Sequence, residues 1–250
     1  MRIIDLANQA NVSEPTVMRF CRAIGFSGFQ AFKLQLAQYL GSSGGSFSQF
    51  QVSNEDSVED LNKKVFNSTL GSLIAVRDEL DPQALQRAID VLSKAKRVEF
   101  YGFGASGSVA IDAQHKFFRL QVSAAAYTDP HIQHMSAISL KEDDVLVAIS
   151  QSGRTKALIQ SVNLAKEAGA TVIGLVPAHT PLAELCALPI HINVEENQQI
   201  FTPISSRIAH LVVIDVLAMG VAQHKSDLLK DHLKRLNKSL SPLRYNKKKT

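Results

Sequence analysis

A chain of 250 residues, 45% hydrophobic and 20% charged, is long enough for one large domain or two smaller ones and has an ordinary globular composition. No apolar run reaches the ~18 residues that a membrane span requires, and the longest candidate, Ile208 to Ala222, is interrupted by His210 and Asp215. The start lacks the charged-then-apolar layout of a secretion signal, and two cysteines, Cys21 and Cys186, are too few and too far apart for a disulfide framework or a metal cluster. The expectation is a cytoplasmic protein with no metal, no cofactor and no membrane partner. The net charge of +4 is unevenly spread: residues 1–40 hold four basic and two acidic side chains, residues 225–250 nine and two, and the middle is mildly acidic. Such a distribution fits a ligand domain with nucleic-acid-facing flanks, although a solvated, disordered end explains the tail "LRYNKKKT" equally well.

In chain order, "RIIDLANQANVSEPTVMRFCRAIGFSGFQAFKLQLAQYL" carries a helix-turn-helix pattern. Ala7 is small where two helices cross, Asn11 sits at the tight turn, and Val12 is apolar just after it. Val17 and Phe20 are expected to face inward on the second helix. Ser13 can cap that helix, with Pro15 in its first turn. Thr16, Met18, Arg19 and Arg22 then project outward with Ser13, as residues of a groove-reading helix would. An ordinary αα-hairpin is the alternative. Residues 41–57, rich in glycine and serine, read as a linker.

Beyond the linker, 58–79 and 82–95 read as helices, the second with Asp81-Pro82 at its start. Short apolar strands then alternate with helices: "RVEFYGFG", "AAAYT", "DVLVAIS", "TVIGLV" and "LPIHINV" are five strands, with helices over 106–120, 130–139 and 155–168. A long helix over about 203–222 and an amphipathic basic one over about 226–239 follow. The alternation predicts a five-stranded parallel sheet covered on both faces, an α-β-α sandwich over 58–224 behind an all-α unit over 1–40, with a basic helix and tail over 225–250.

Two turns carry candidate chemistry. "GFGASG", Gly102 to Gly107, matches the dinucleotide fingerprint between a strand and a helix, with Asp129 where a ribose-binding acid could sit. The same turn puts Ser106 at a helix start, where it can meet an anion or simply cap the helix. "SQSGRT" follows the third strand. Ser150, Ser152 and Thr155 offer hydroxyls, Gln151 an amide, and Gly153 room for close approach, a set of neutral donors suited to a phosphoryl group. A dinucleotide has no need of this second cradle. Arg154 could add a charge, or remain a solvated first-turn arginine. For catalysis the bases by position would be Glu195, Glu196 and His210, against a solvated loop and a hydrogen-bonded histidine as the alternatives.

Ser106 after its glycine turn, with "SQSGRT" at the end of the third strand, resembles the sugar isomerase domain, a phosphosugar-binding α/β sandwich, over about residues 60–222. The resemblance implies that Ser106, Ser150, Gln151, Ser152 and Thr155 hold a sugar phosphate. Enzymes with this domain isomerise or cleave phosphosugars, so catalysis is also implied as an alternative. Together with the helix-turn-helix, the whole chain resembles the RpiR-type bacterial transcription regulators. "NVSEPTVMRFCRAIGFSGFQAFKLQLAQ" and "SRIAHLVVIDVLA" look most like the branch that governs hexose and Entner–Doudoroff genes. That resemblance implies a DNA operator, 2-keto-3-deoxy-6-phosphogluconate as effector, and a homodimer or homotetramer built through the sugar domains. Relatives carry a further helical stretch ahead of the motif, so the unit is expected to lack its first helix and to bind DNA weakly.

Overall fold

The computed structural model describes residues 2–34, 53–194 and 203–243. The chain divides into two compact units, Met1–Ala75 and Val76–Thr250, and the division falls inside a helix. The glycine-serine stretch expected to separate them lies mostly outside the described residues.

In the first unit, helices α1 (Ile3–Gln9) and α2 (Glu14–Ala23) form the helix-turn-helix pair, residues 29–34 are helical, and α3 (Val58–Glu79) begins after a reciprocal cap between Ser57 and Asp60. Asn11 takes φ +53°, and the amide of Val12 donates to the carbonyl of Ala7 at 2.9 Å, closing the turn as a left-handed helix cap requires. Ala7, Val17, Cys21 and Phe29 form the small core. Two expectations fail here. Phe20 is 52% exposed: Val17 and Cys21 define the buried stripe, and Phe20 lies at its border with its ring edge-on to Phe32 at 5.9 Å. Met18, expected to point outward, is half-buried against that core, because it flanks the stripe on the side of Gly28.

The second unit holds α4 (Pro82–Lys94), β1 (Arg97–Tyr101), α5 (Ala105–Arg119), β2 (Ala124–Tyr127), α6 (Pro130–Ala137) and β3 (Asp144–Ile149). It continues through α7 (Lys156–Glu167), β4 (Thr171–Val176), α8 (Pro181–Leu185), β5 (Leu188–His191), α9 (Ser205–His224) and α10 (Ser226–Leu240). All five expected strands are present. The short α8, started by Pro181 after a Thr180 cap, is an addition. The strands pair in parallel in the order β2-β1-β3-β4-β5. Central β3 is buried along its whole length, as a strand covered on both faces must be. Helices α4, α5 and α9 pack together on one face, and α6, α7 and α8 cover the other.

Among the described residues, α9 is long and apolar enough to cross a membrane by length and composition. Here it buries Ala209, Val213, Ile214, Leu217 and Val221 as a core helix.

Cys186 packs in the core between α8 and β4, and burial pushes its thiol from an ordinary 9.0 up to about 12. The unfolded chain would ionise this thiol first. Its contribution to stability is therefore complete below pH 9 and lost as pH rises from 9 toward 12. Urea denaturation at pH 8 and pH 10.5 should show a steeper loss for the natural chain than for Cys186→Ala. Equal slopes would contradict the burial argument.

Candidate functional site

In an open parallel sheet, ligands bind outside the carboxyl ends of the strands where the strand order reverses. With β2 on one side of β1 and β3 on the other, that point lies between the loops following β1 and β3. These are the glycine turn and the serine-rich loop singled out in the sequence. A cleft of about 220 Å³ opens there, lined by Ser106, Ser150, Gln151, Ser152 and Thr155 over an apolar floor of Phe103, Val109, Ile149 and Leu158. Pro203, Ser206, Arg207 and His210 line it from the start of α9. A larger hollow of about 380 Å³ lies at the far edge, between α4 and β5, and holds none of the predicted site residues.

The glycine turn is tight for a local reason. A Cβ on Gly102 would lie 2.6 Å from the carbonyl oxygen of Ser106, so only glycine permits the chain to fold back there. Gly104, not Ser106, stands at the N-cap of α5, and no side chain caps that helix. The hydroxyl of Ser106 is thus available to the cleft. Asp129, the candidate ribose acid, is already engaged: its carboxylate accepts from the amides of His131 and Ile132 at 2.9 and 3.0 Å and caps α6. The dinucleotide reading loses its acidic residue to this cap.

Ser150 is 4% exposed, and its Oγ accepts from the amide of Gly153 at 3.1 Å, which folds the loop. Ser152 accepts from the amide of Arg154 at 3.2 Å. Thr155 is the N-cap of α7 without a side-chain cap bond, so its hydroxyl stands beside the unsatisfied first amides of that helix. Gln151 differs from expectation. Its amide nitrogen donates to the carbonyl of Val194 at 2.7 Å, leaving a buried Oε1 with no partner. The side chain therefore carries an unmet acceptor, which pairs with a hydroxyl donor rather than with a phosphate oxygen. Gly153 does not line the cleft: a Cβ there would fall 2.2 Å from Thr180 Oγ1, so its bare face is turned to Thr180. Arg154 is exposed and also lies outside the lining.

Of the three candidate bases, Glu195 and Glu196 lie outside the described residues. His210 lines the cleft but is 2% exposed, with Nδ1 2.7 Å from the carbonyl of Ser206 and Nε2 3.3 Å from that of Leu175. Both ring nitrogens face backbone carbonyls, an arrangement that holds the ring in place. Sequence reasoning missed Arg207 and Ser206. The polar run Ser205, Ser206, Arg207 ahead of an apolar helix was the available signal.

In the first unit, Ser13, Thr16, Arg19 and Arg22 lie along α2. Ser13 Oγ and Thr16 Oγ1 are 2.9 Å apart, and Arg19 donates to Thr16 Oγ1 at 3.4 Å. Ser13, Arg19 and Arg22 are exposed and Thr16 half-buried, so polar groups at the start of α2 are followed by cations in its middle and last turn.

Residues 1–43 match the helix-turn-helix domain of the rpiR family, and residues 91–220 match the SIS domain. The chain is 44% identical to the HTH-type transcriptional regulator HexR of Pseudomonas aeruginosa over 243 residues, covering 97% of this chain and 85% of that protein. It is 44% identical to HexR of Escherichia coli over 245 residues, covering 98% and 84%. Among solved structures, the Vibrio vulnificus NanR protein complexed with ManNAc-6P is similar, with TM-score 0.70 and 26% identity over 98% of this chain and 88% of that one.

Proposed function

The chain belongs to the RpiR family of helix-turn-helix transcription regulators with a sugar-binding SIS domain, and from that premise we propose a cytoplasmic regulator of hexose and Entner–Doudoroff genes. Its effector is a sugar phosphate, 2-keto-3-deoxy-6-phosphogluconate. The observation that carries this reading is the pairing, in one chain, of a cationic recognition helix with a switch-point cleft of hydroxyls. Ser13, Thr16, Arg19 and Arg22 contact DNA; Ser106, Ser150, Ser152 and Thr155 hold the phosphoryl group, and Gln151 accepts from a sugar hydroxyl. The NanR complex with a hexosamine phosphate supports the ligand class. A homodimer or homotetramer is supported by the apolar side chains that neighbouring α5 and α9 leave exposed, among them Phe118 and Met219.

The test is a titration of operator-length DNA at fixed salt, with and without sugar phosphate. The expected result is sequence-specific, salt-sensitive binding that the ligand shifts. Conversion of an aldose phosphate to its ketose, without DNA binding, would favour the isomerase alternative.

Ser152→Ala removes one charge-assisted hydrogen bond and should weaken sugar-phosphate binding by roughly 1.5–3 kcal/mol. Because Ser152 is exposed, its melting temperature should hardly change. Ser150→Ala should cost stability as well, since the amide of Gly153 loses its acceptor. Calorimetric titration and thermal denaturation of both variants separate the two effects; unchanged affinity in both would overturn the cradle.

A further inference from the structure

We propose that Arg207 is the specificity-determining residue of the cleft, selecting ligands that carry a second anionic group besides the phosphoryl group. This rests on the reading of the cleft as a sugar-phosphate site.

The two sides of the cleft differ in chemistry. The loop from Ser150 to Thr155 leads into α7, on one face of the sheet, and offers neutral hydroxyls. The start of α9, from the layer on the other face, offers a guanidinium. Arg207 has no ion-pair or hydrogen-bond partner among the described residues. No carboxylate is among the described lining residues, so none of them offsets its charge where a ligand would lie.

Its position opposes helix stability. Ser205, Ser206 and Arg207 form the first turn of α9, which has no acidic residue. A cation there faces the positive end of the helix dipole, and acidic residues are the stabilising choice. A residue that violates the local rule in a cleft is expected to answer to a ligand. An anion in the cleft removes the conflict, since it pairs with the guanidinium and the helix start together.

The buried, partnerless Oε1 of Gln151 adds a ligand hydroxyl to the same pattern. The fitted molecule has a phosphoryl group in the serine loop, a hydroxyl at Gln151, and a carboxylate or second phosphate at Arg207. The planar fork of arginine takes either anion bidentately.

The test measures affinities of the full chain for glucose 6-phosphate, 6-phosphogluconate and fructose 1,6-bisphosphate by calorimetric titration. These are a neutral sugar phosphate, a sugar acid phosphate and a bisphosphate. The natural chain should prefer the acid, the bisphosphate or both over glucose 6-phosphate. Arg207→Gln should weaken the preferred ligand by roughly tenfold to a hundredfold, the loss expected for a charged hydrogen bond, and change glucose 6-phosphate by less than about threefold. The arm that loses affinity identifies the second anion. Arg154→Gln, an exposed arginine outside the lining, should leave the preference intact. Equal losses for all three ligands in Arg207→Gln, or a selective loss in Arg154→Gln instead, would overturn the assignment. If the natural chain binds neither these three nor 2-keto-3-deoxy-6-phosphogluconate, the sugar-phosphate reading itself falls.

Discussion

Gly153→Ala is expected to destabilise the second unit by about 2–4 kcal/mol and to abolish measurable sugar-phosphate binding. Gly153 holds φ +60°, which costs an alanine about 1–2 kcal/mol. The added Cβ would also lie 2.2 Å from Thr180 Oγ1 and 2.5 Å from Thr180 Cβ. Thr180 has nowhere to go. It is 5% exposed, its hydroxyl donates to the carbonyl of Pro177 at 2.9 Å, and the same oxygen accepts from the amide of Ala183 to cap α8. Displacing it loses a cap worth about 1 kcal/mol. The loop cannot shift freely either, because the carbonyl of Gly153 accepts from the amide of Leu182 and its amide donates to Ser150. Urea denaturation followed by circular dichroism gives the cost. In a Thr180→Gly background the same substitution should cost only the backbone term, about 1–2 kcal/mol. An unchanged denaturation midpoint in the single variant would refute the packing role.

Arg97→Met should cost about 2–4 kcal/mol, although it touches nothing in the cleft. Glu99 is fully buried on β1, beneath α6, and its carboxylate is ion-paired with Arg97. Tyr101 donates to it at 2.6 Å and Ser136 at 2.7 Å. Burial and the neighbouring carboxylate raise the Tyr101 hydroxyl far above its usual range, so it remains a donor at any working pH. Breaking a buried pair by removing one partner strands a charge and costs about 3–5 kcal/mol in general. The lower figure reflects Arg97, whose side chain is 34% exposed and lets water reach the gap. The double variant Arg97→Met, Glu99→Leu should recover most of the loss, since apolar replacement of a buried pair is often neutral. Equilibrium denaturation of the three proteins at pH 7 decides it. A single variant as stable as the natural chain would show that the network adds no net stability.

Much of the architecture follows from neighbours in the chain. Apolar runs of four to six residues, bounded by turns and spaced by helical periods, are local signals, and they located all five strands and the helix-turn-helix pair. The glycine turn and the serine loop were legible because both follow strands, and parallel strands deliver their following loops to one end of a sheet. Asn11 and Pro15 mark their turn and helix start by backbone preference alone.

Tertiary structure decided which atoms face the cleft. Met18 and Phe20 exchanged their expected environments because the edge of a buried stripe depends on what packs against it, here residues 28–32. Gln151 became an acceptor because Val194, 43 residues away, takes its amide nitrogen. Gly153 serves Thr180 rather than a ligand, and Arg207 reaches the cleft while Arg154 does not. Nor could spacing show that Glu99, in a strand that reads as apolar, has an arginine, a tyrosine and a serine waiting for it. Helical and strand periods are set within a few residues along the chain. The direction of a polar side chain is set by partners that only the strand order β2-β1-β3-β4-β5 brings within hydrogen-bond reach.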